Sequence, residues 1–130
     1  HSTAHVLRAA QEGIVFALKY SLDIMQKMGV QASRVKAGKA NMFLSPIFRE
    51  AFANTTGATI ELYDTDGAAG AARGAGIGAG AYTDAQEAFS HLQQIDLIEP
   101  DSEKQSVYAE AYNHWLTVLK HHLKDEKYEM

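Results

Sequence analysis

The sequence predicts an α/β fold in which about five helices accompany two parallel strands. Three observations support this class. The 130 residues are 46% hydrophobic, enough to bury the core of one domain. Apolar residues recur at helical spacing near both ends of the chain. Between residues 33 and 80, strand-like and helix-like segments alternate, which is typical of parallel βαβ units.

Composition and charge exclude several classes of function. The chain contains no cysteine, so disulfides and thiolate chemistry are excluded, and a reducing cytoplasm is the expected location. Its net charge of −4 comes from interspersed residues without a basic block, so we expect no polymeric nucleic acid as a partner. No apolar stretch approaches the roughly 18 residues of a membrane span, so we expect no membrane partner either.

The first predicted helix runs from about residue 3 to Gly29, which ends it as a C-cap glycine does. The apolar face of this helix is wide, which predicts that it packs against more than one neighbouring element. Arg8 and Glu12 are spaced to form an ion pair on this helix. The main apolar stripe consists of Leu7, Ile14, Leu18, Met25 and Met28, and it is widened by Val6, Val15, Leu22 and Ile24.

A strand, a helix and a second strand follow. We predict a strand at 33–37, a helix at about 44–55 and a strand at 58–64. Ser45 is the expected N-cap of this helix, with Pro46 in its first helical position. The predicted buried side of the helix comprises Phe43, Ile47, Phe48, Ala51 and Phe52.

The remaining chain predicts three more helices. Residues 66–80 form a helix rich in glycine and alanine, and residues 83–92 a short one that begins with a Thr83/Gln86 capping box. A loop held by Ile95, Leu97 and Ile98 leads to a last helix from Ser102 to about Lys124. The expected buried side of this last helix is Val107, Ala111, Trp115, Val118 and Leu119, and its Tyr and Trp residues are expected at packing positions in the core or an interface.

The glycine-rich helix has two interpretations. Gly70, Gly74 and Gly78 lie four residues apart, so a bare helix face could pack tightly against another backbone. Alternatively, the segment Asp66–Gly70 opens a helix whose first amides face a phosphate. The G-x-G-x-x-G fingerprint is absent, which argues against a nicotinamide or flavin cofactor.

The segment VKAGKAN, residues 35–41, is the second candidate for ligand binding. It follows a predicted parallel strand, whose carboxyl end is the usual ligand position in open α/β sheets. Gly38 allows close backbone approach, Lys39 supplies charge and Asn41 can form hydrogen bonds. It is not a P-loop, because Ala40 follows Lys39 where Ser or Thr should hold magnesium. An ordinary strand-to-helix turn remains the alternative.

The histidines do not predict a metal site. His114 and His121 are seven residues apart, beyond the reach of a chelating i, i+4 pair, and His122 points to a different side from His121. We therefore expect all three on a solvated helix face. His1 and His5 are expected at a frayed helix end.

Four segments, taken in order along residues 1–130, resemble the carboxyl-terminal part of the nucleotide-binding domain of the FGGY family of carbohydrate kinases, and within that family the xylulokinases in particular. LRAAQEGIVFAL (7–18) resembles the family's R-A-x-x-E-G-x-A-F helix. VKAGKANMFLSPIFREAFANTTGATIEL (35–62) resembles its nucleotide loop with the flanking strands and helix. DGAAGAARGAGIGAG (66–80) resembles its G-A-A-x-x-A helix, and residues 98–119 resemble its closing helix.

This resemblance implies a partial ribonuclease H-like, actin-type ATPase domain that uses ATP and Mg²⁺. The positions that match the nucleotide loop are Ala37, Gly38, Lys39, Ala40 and Asn41, and the first turn of the glycine-rich helix, with Gly67 and Gly70, would lie near the nucleotide. The family commonly has two or three consecutive glycines in this loop, whereas this chain has Ala37-Gly38-Lys39.

The resemblance also implies that another part of the kinase supplies the catalytic base and the sugar site. The family's catalytic aspartate and sugar site are expected upstream of residue 1, so we expect this segment to be inactive alone. Its expected partners are ATP or ADP and a sugar, with xylulose preferred, and a second copy of the chain in a homodimer. A non-catalytic helical interaction module, or a segment of a different actin-type ATPase, are the alternatives.

Overall fold

Helices and strands alternate through most of the chain. The structure is a computed structural model that describes residues 1–125. In chain order its elements are α1 (Thr3–Lys27), β1 (Arg34–Gly38), a 3₁₀ turn (Asn41–Leu44), α2 (Pro46–Thr56), β2 (Thr59–Tyr63), α3 (Gly67–Gly78), α4 (Ala85–Phe89), β3 (Gln94–Ile98) and α5 (Ser102–Asp125).

The sheet has the order β1-β2-β3. β1 and β2 are parallel, as the sequence predicted, and Gly38 at the end of β1 is the register partner of Tyr63 at the end of β2. β3 pairs antiparallel with β2. The expectation of two strands and a loop at Ile95–Ile98 was wrong, because that segment is the third strand.

The sequence concealed β3 because this strand buries almost no side chain. Ile95 and Leu97 are both more than two-fifths exposed, so the segment lacks the buried face that reveals most strands. β3 is held by backbone pairing with β2, in which Ile98 lies opposite Ile60. Such pairing depends on a neighbouring strand that is distant in sequence, so the local pattern does not reveal it.

The core lies between one face of the sheet and a layer formed by α1, α2 and α5. Aromatic side chains fill it, and edge-to-face contacts join Phe43 to Phe48 and to Phe52, with ring centroids 5.3 and 5.7 Å apart. The buried hydrophobic residues of this cluster are Val15, Phe16, Phe48, Ala51, Phe52, Ala53, Ile60, Tyr108 and Tyr112.

Two predicted helix faces were partly wrong. On α1, Val15 is buried and Leu22 packs against the core, as predicted, whereas Ile14 and Leu18 of the main stripe are 45% and 41% exposed.

On α5, Tyr108 and Tyr112 are buried and Ala111 and Trp115 pack against the core, as predicted, whereas Val107 is 66% exposed. Each helix therefore contacts its described neighbours along a narrower face than the sequence predicted.

Charged groups tie the three helices together at the rim of the core. Arg8 donates to Glu12 at 2.8 Å, which confirms the predicted ion pair, and also to the Tyr108 hydroxyl at 2.9 Å. Lys104 donates to Glu50 at 2.9 Å. Further along, the Tyr112 hydroxyl donates to Asp23, and burial raises the pKa of that hydroxyl.

Helix α2 is delimited as the sequence predicted. Ser45 Oγ accepts a hydrogen bond from the Phe48 amide, and Pro46 begins the helix. Gly57 ends α2 in the left-handed conformation, with φ of 74°. On the predicted buried side, Phe48, Ala51 and Phe52 are buried, whereas Ile47 is 41% exposed.

We use the term arm for residues 67–89, which contain α3 and α4. α3 packs mainly on α4, and none of its residues is buried. A methyl group added at Gly70, Gly74 or Gly78 would meet nothing within 4 Å. The expectation of tight packing on this glycine face was therefore wrong within residues 1–125, because no neighbouring backbone approaches the bare face.

The start of α4 also differs from the prediction. Asp84 is its N-cap and accepts from the Glu87 amide at 2.8 Å, while Glu87 in turn accepts from the amide and hydroxyl of Thr83. The predicted Thr83/Gln86 capping box was wrong by one residue, because Asp84 is an equally good cap and lies closer to the helix. Among the described helices, none is long and apolar enough to cross a membrane.

Candidate nucleotide site at the carboxyl ends of two parallel strands

The carboxyl ends of β1 and β2 lie side by side, and the loops that follow them touch. The Lys39 amide donates to the Tyr63 carbonyl oxygen at 2.9 Å, which fixes the start of the β1 loop on the end of β2. In an open α/β sheet this edge is where ligands bind, because loops diverge there and leave backbone groups exposed. The structure thus brings the predicted ligand-binding loop at residues 35–41 into contact with the residues that lead into α3.

Gly38 is the point of closest approach between the two loops. A Cβ atom at this position would lie 2.6 Å from the Thr65 carbonyl oxygen. A side chain there would force the loops apart, so glycine is required by the packing of backbone on backbone. Because Gly38 has no side chain, the two loops stay close together at this edge of the sheet.

The loop after Gly38 turns sharply and presents its polar residues outward. The Ala40 amide donates to the Gly38 carbonyl oxygen at 2.8 Å, and Asn41 has a left-handed φ of 51°. Lys39 and Asn41 are exposed, whereas Ala37 is half-buried beneath the loop. A non-glycine residue with positive φ is uncommon, and asparagine is among the residues that tolerate it best.

Two hollows flank Gly38, one on each side of the sheet. The first has a volume of about 360 Å³ and lies between β1 and α1, with Ile14, Leu18, Val35 and Phe43 in its lining. The second, of about 480 Å³, is lined by Lys36, Ala37, Gly38, Tyr63, Thr65, Phe89 and Leu92. A small organic ligand therefore has room on either side of the glycine.

The second hollow combines cations with aromatic faces. The Lys36 ammonium lies 5.9 Å from the centre of the Tyr63 ring. Arg73 of α3 donates to the Thr65 hydroxyl at 3.0 Å, and its guanidinium lies 5.8 Å from the centre of the Phe89 ring. Flat rings next to basic groups suit a ligand with an aromatic base and an anionic group.

A buried carboxylate lies at the base of the same sheet face. Glu61 is 5% exposed. It accepts hydrogen bonds from the Tyr63 hydroxyl and from Arg34, and these bonds lower the pKa of Glu61. The hydrogen bond to Glu61 raises the pKa of the Tyr63 hydroxyl. The charge of Glu61 is compensated by its ion pair with Arg34 and by an electrostatic attraction to Lys36.

The start of α3 is less suited to a phosphate than the sequence suggested. Asp66 caps the helix and accepts from the Ala69 amide at 2.8 Å. Its carboxylate takes the place that an anion would occupy at the helix N-terminus. Gly67 is exposed and Gly70 half-buried, and a methyl group at either meets nothing within 4 Å. Both lie in the first turn of α3, two and five residues after Thr65, and they stay predictions as neighbours of a ligand.

The sequence pattern did not single out Lys36, Thr65 or Arg73. Lys36 lies within the candidate segment 35–41, and the strand period could have indicated that its side chain lies on the open face of the sheet. Thr65 and Arg73 are linked by a hydrogen bond from the Arg73 guanidinium, on α3, to the Thr65 hydroxyl, which precedes the helix. The bond between them depends on this local geometry and carries no sequence signature.

The described residues contain no group of three or more His, Asp or Glu side chains placed to hold a metal ion. His114, His121 and His122 are exposed on α5, as predicted. The donor set does not amount to a dedicated magnesium cage. It fits a magnesium ion that is held mainly by nucleotide phosphates and water, as is usual for this ion.

The comparisons with known proteins identify the kind of enzyme that this chain resembles. No protein-family model matches it. It is 31% identical over 120 residues to the L-xylulose/3-keto-L-gulonate kinase of Escherichia coli (strain K12), covering 88% of this chain and 24% of that protein. It is 32% identical over 119 residues to the probable L-xylulose kinase of Pasteurella multocida (strain Pm70), covering 88% of this chain and 23% of that protein.

A solved structure shows the same fold. The crystal structure of xylulose kinase from Rhodospirillum rubrum matches 91% of this chain with a TM-score of 0.73 at 22% identity, over 24% of its own length. The chain thus spans about a quarter of the length of each of these proteins. The resemblance to the FGGY carbohydrate kinases and the α/β fold of the actin-type ATPases are confirmed.

Proposed function

We propose that this chain, which resembles one quarter of an L-xylulose kinase, forms part of the nucleotide site of an ATP-dependent sugar kinase with a xylulose as the preferred acceptor. One observation carries the proposal: the loops after β1 and β2 meet at Gly38, where a Cβ atom would lie 2.6 Å from Thr65. In a chain 31% identical to a sugar kinase, this is the edge where a nucleotide fits.

The nucleotide would lie along the loop from Ala37 to Asn41. Ala37 and Gly38 line both hollows, so their small size lets the nucleotide approach the backbone there, and the exposed Lys39 supplies positive charge for the phosphates. Asn41, held outward by its left-handed backbone, would donate or accept at the sugar-base portion. Gly67 and Gly70 would border the nucleotide without holding a phosphate, because Asp66 occupies the start of α3.

ATP would supply the phosphoryl group that moves to the sugar hydroxyl, and Mg²⁺ would neutralise charge on the phosphates. Phosphoryl transfer depends on positioning from both sides of the nucleotide. In this proposal the base that accepts the hydroxyl proton belongs to another part of the kinase, so the 130-residue chain alone would not transfer phosphate. A cytoplasmic location belongs to the proposal and accords with the lack of cysteine.

Equilibrium binding of magnesium-ADP to the 130-residue chain tests the site. We expect weak, saturable binding that favours ADP over adenosine. Lys39→Ala should reduce that preference by about tenfold, because a charge-assisted contact to phosphate is lost. Asn41→Ala should weaken ADP and adenosine alike. Gly74→Ala, on the open face of α3, is the matched control and should bind as the parent does. ADP binding that is unchanged by both Lys39→Ala and Asn41→Ala would contradict the proposed site.

A chimaera tests the enzyme class. The segment of the E. coli L-xylulose/3-keto-L-gulonate kinase that matches this chain would be replaced by residues 1–130. We expect the chimaera to phosphorylate L-xylulose with ATP and the isolated chain not to do so. A folded chimaera that binds ADP without any phosphorylation of L-xylulose would contradict the proposed acceptor, and one that fails to bind ADP would contradict the nucleotide role.

A further inference from the structure

The second hollow lies away from the side-chain contacts proposed for the nucleotide. Ala37 and Gly38 line both hollows, but Ala40 and Asn41, which follow them in the nucleotide loop, line the first hollow, of about 360 Å³. The second hollow, of about 480 Å³, extends from Gly38 towards the end of β2 and the end of α4. A nucleotide that contacts Asn41 would therefore leave the second hollow open to another ligand.

Tyr63 gives the second hollow a flat wall whose position is fixed by hydrogen bonds. Its hydroxyl donates to Glu61 at 2.9 Å, and Glu61, which is 5% exposed, also accepts from Arg34. The ring is thus already oriented before a ligand arrives, which lowers the entropic cost of binding. A fixed aromatic face of this kind suits a flat ring that stacks on it.

Phe89 and Leu92 supply the apolar side of the second hollow. The Phe89 ring is 40% exposed and Leu92 is half-buried, so both still have apolar surface that a ligand could cover. Together with Tyr63 they surround the hollow with two aromatic rings and a branched aliphatic side chain. These walls favour an aromatic ligand over a fully polar one such as free phosphate or a sugar.

The cations at the second hollow are not neutralised by ion pairs. The Lys36 ammonium lies 5.9 Å from the centre of the Tyr63 ring, and the Arg73 guanidinium lies 5.8 Å from the centre of the Phe89 ring. Neither Lys36 nor Arg73 forms an ion pair within residues 1–125. An anionic group next to the two rings would therefore be attracted to this hollow.

We propose that the second hollow binds a small aromatic anion while the nucleotide occupies its own loop. The flat ring of the ligand would lie against the Tyr63 and Phe89 rings, and its anionic group would contact the Lys36 ammonium. Arg73 would add positive charge on the Phe89 side. Binding of the anion depends only on the contacts of the second hollow, whereas its simultaneous presence with a nucleotide rests on the proposed function.

Phenyl phosphate is the probe for this site, because it joins a flat ring to an anionic group. Equilibrium titration of the 130-residue chain should give saturable binding with a Kd of about 1 mM, as is usual for so small a ligand. Phenol and inorganic phosphate should each bind at least about tenfold more weakly, since each lacks one of the two recognised groups. Inorganic phosphate that binds as tightly as phenyl phosphate would overturn the aromatic half of the proposal.

A matched pair of lysine substitutions tests the anionic contact. Lys36→Met removes the charge but keeps the length of the side chain, so it should weaken phenyl phosphate about fivefold and leave phenol unchanged. Lys104→Met, on α5 and outside the second hollow, is the control and should bind phenyl phosphate as the parent does. Equal weakening by both substitutions would show a general attraction to cations and overturn the site.

Phe89→Ala and nuclear Overhauser contacts test where the ring lies. Phe89→Ala should weaken phenyl phosphate and phenol alike, by about fivefold, because one apolar wall is lost. In the parent chain, the phenyl protons should show Overhauser contacts to the Leu92 methyl groups. Contacts to Ile14 or Leu18 of the first hollow instead, or unchanged affinity in Phe89→Ala, would overturn the proposed position.

Titration of phenyl phosphate with and without magnesium-ADP, at the same magnesium concentration, separates this proposal from the proposed function. We expect its Kd to change less than about twofold. Competition between the two ligands would overturn a separate site. Binding of phenyl phosphate without binding of ADP would contradict the proposed function and support the second hollow as a site. Binding of ADP without binding of phenyl phosphate would contradict the second hollow alone.

Discussion

The helical layer of α1, α2 and α5 and the arm of residues 67–89 are built from opposite kinds of residue. The layer buries aromatic side chains such as Phe48 and Phe52, which are 1% and 4% exposed. The arm is rich in glycine and alanine, and Ala88 of α4 is its one buried hydrophobic residue. The layer therefore holds itself together through side chains, whereas the arm depends on a few contacts made by Arg73, Phe89 and Tyr82.

This difference shows that glycine at regular spacing does not by itself indicate a packed face. Gly38 and Gly74 are both glycines of the quoted kinase-like segments, yet one meets the Thr65 backbone and the other meets nothing within 4 Å. The glycine that the candidate site requires is Gly38, at the end of β1, where the loops after the two parallel strands meet. We expect the following substitutions to separate the two regions.

The largest expected effect is from Phe48→Ala in the layer. Loss of a fully buried phenylalanine should lower the free energy of unfolding by about 3–5 kcal/mol, since it removes apolar burial and leaves a cavity. Phe89→Ala in the arm, where the ring is 40% exposed, is the control and should cost less than about 1 kcal/mol. Urea unfolding measures both, and equal losses would show that the arm is part of the same core.

Gly38→Ala should have an intermediate effect. The added methyl group would meet the Thr65 carbonyl oxygen, and the resulting shift of both loops should cost about 1–3 kcal/mol. It should also weaken magnesium-ADP binding, because the edge of the sheet widens. If Gly38→Ala were as stable as the parent, the close contact between the two loops would be contradicted.

Gly74→Ala should act in the opposite direction. With open space at this position, alanine should raise the free energy of unfolding by about 0.5–1 kcal/mol through its higher helix propensity. The comparison with Gly38→Ala by thermal and urea unfolding uses the same chemical change in two regions. A destabilised Gly74→Ala protein would indicate that another backbone packs on α3, for example from a second copy of the chain.

The smallest expected effect is dependence on pH at Glu50. Hydrogen bonding from Lys104 lowers the pKa of Glu50, so this carboxylate stabilises the fold above its unfolded pKa of about 4.3 and loses that effect as the pH falls through its lower folded value. Glu50→Gln should cost less than about 1 kcal/mol at pH 7, since the pair is largely exposed. The difference from the parent should fade below about pH 4.

Glu87→Gln in the arm is the matched control for Glu50→Gln. Hydrogen bonds from Thr83 also lower the pKa of Glu87, so the sign of its pH dependence is the same. Because the hydrogen bonds of the Glu87 carboxylate within residues 1–125 are to Thr83, just before α4, its replacement should not change how the helical layer is held together. Urea unfolding at pH 3 and pH 7 compares the two variants, and a larger effect at Glu87 would contradict this ranking.

The sequence predicted the parts of the fold that local patterns specify. Ser45, Pro46 and Gly57 bounded α2 correctly, because caps act through neighbouring residues. β3 and the exposed stripe with Ile14 and Leu18 were not predicted, since both depend on what lies across the fold. For the site, the pattern located the loop at Gly38, but its contact with Thr65 and the nearby Arg73 emerged only from the tertiary arrangement.

Residue-resolved amide NMR of the 130-residue chain during addition of magnesium-ADP tests the central claim most directly. We predict saturable shifts at Gly38, Lys39 and Asn41, smaller ones at Gly67 and Gly70, and none at Gly78 on the far end of α3. Shifts confined to the arm, or none at all at millimolar ADP while the protein remains folded, would contradict a nucleotide site at the carboxyl end of β1.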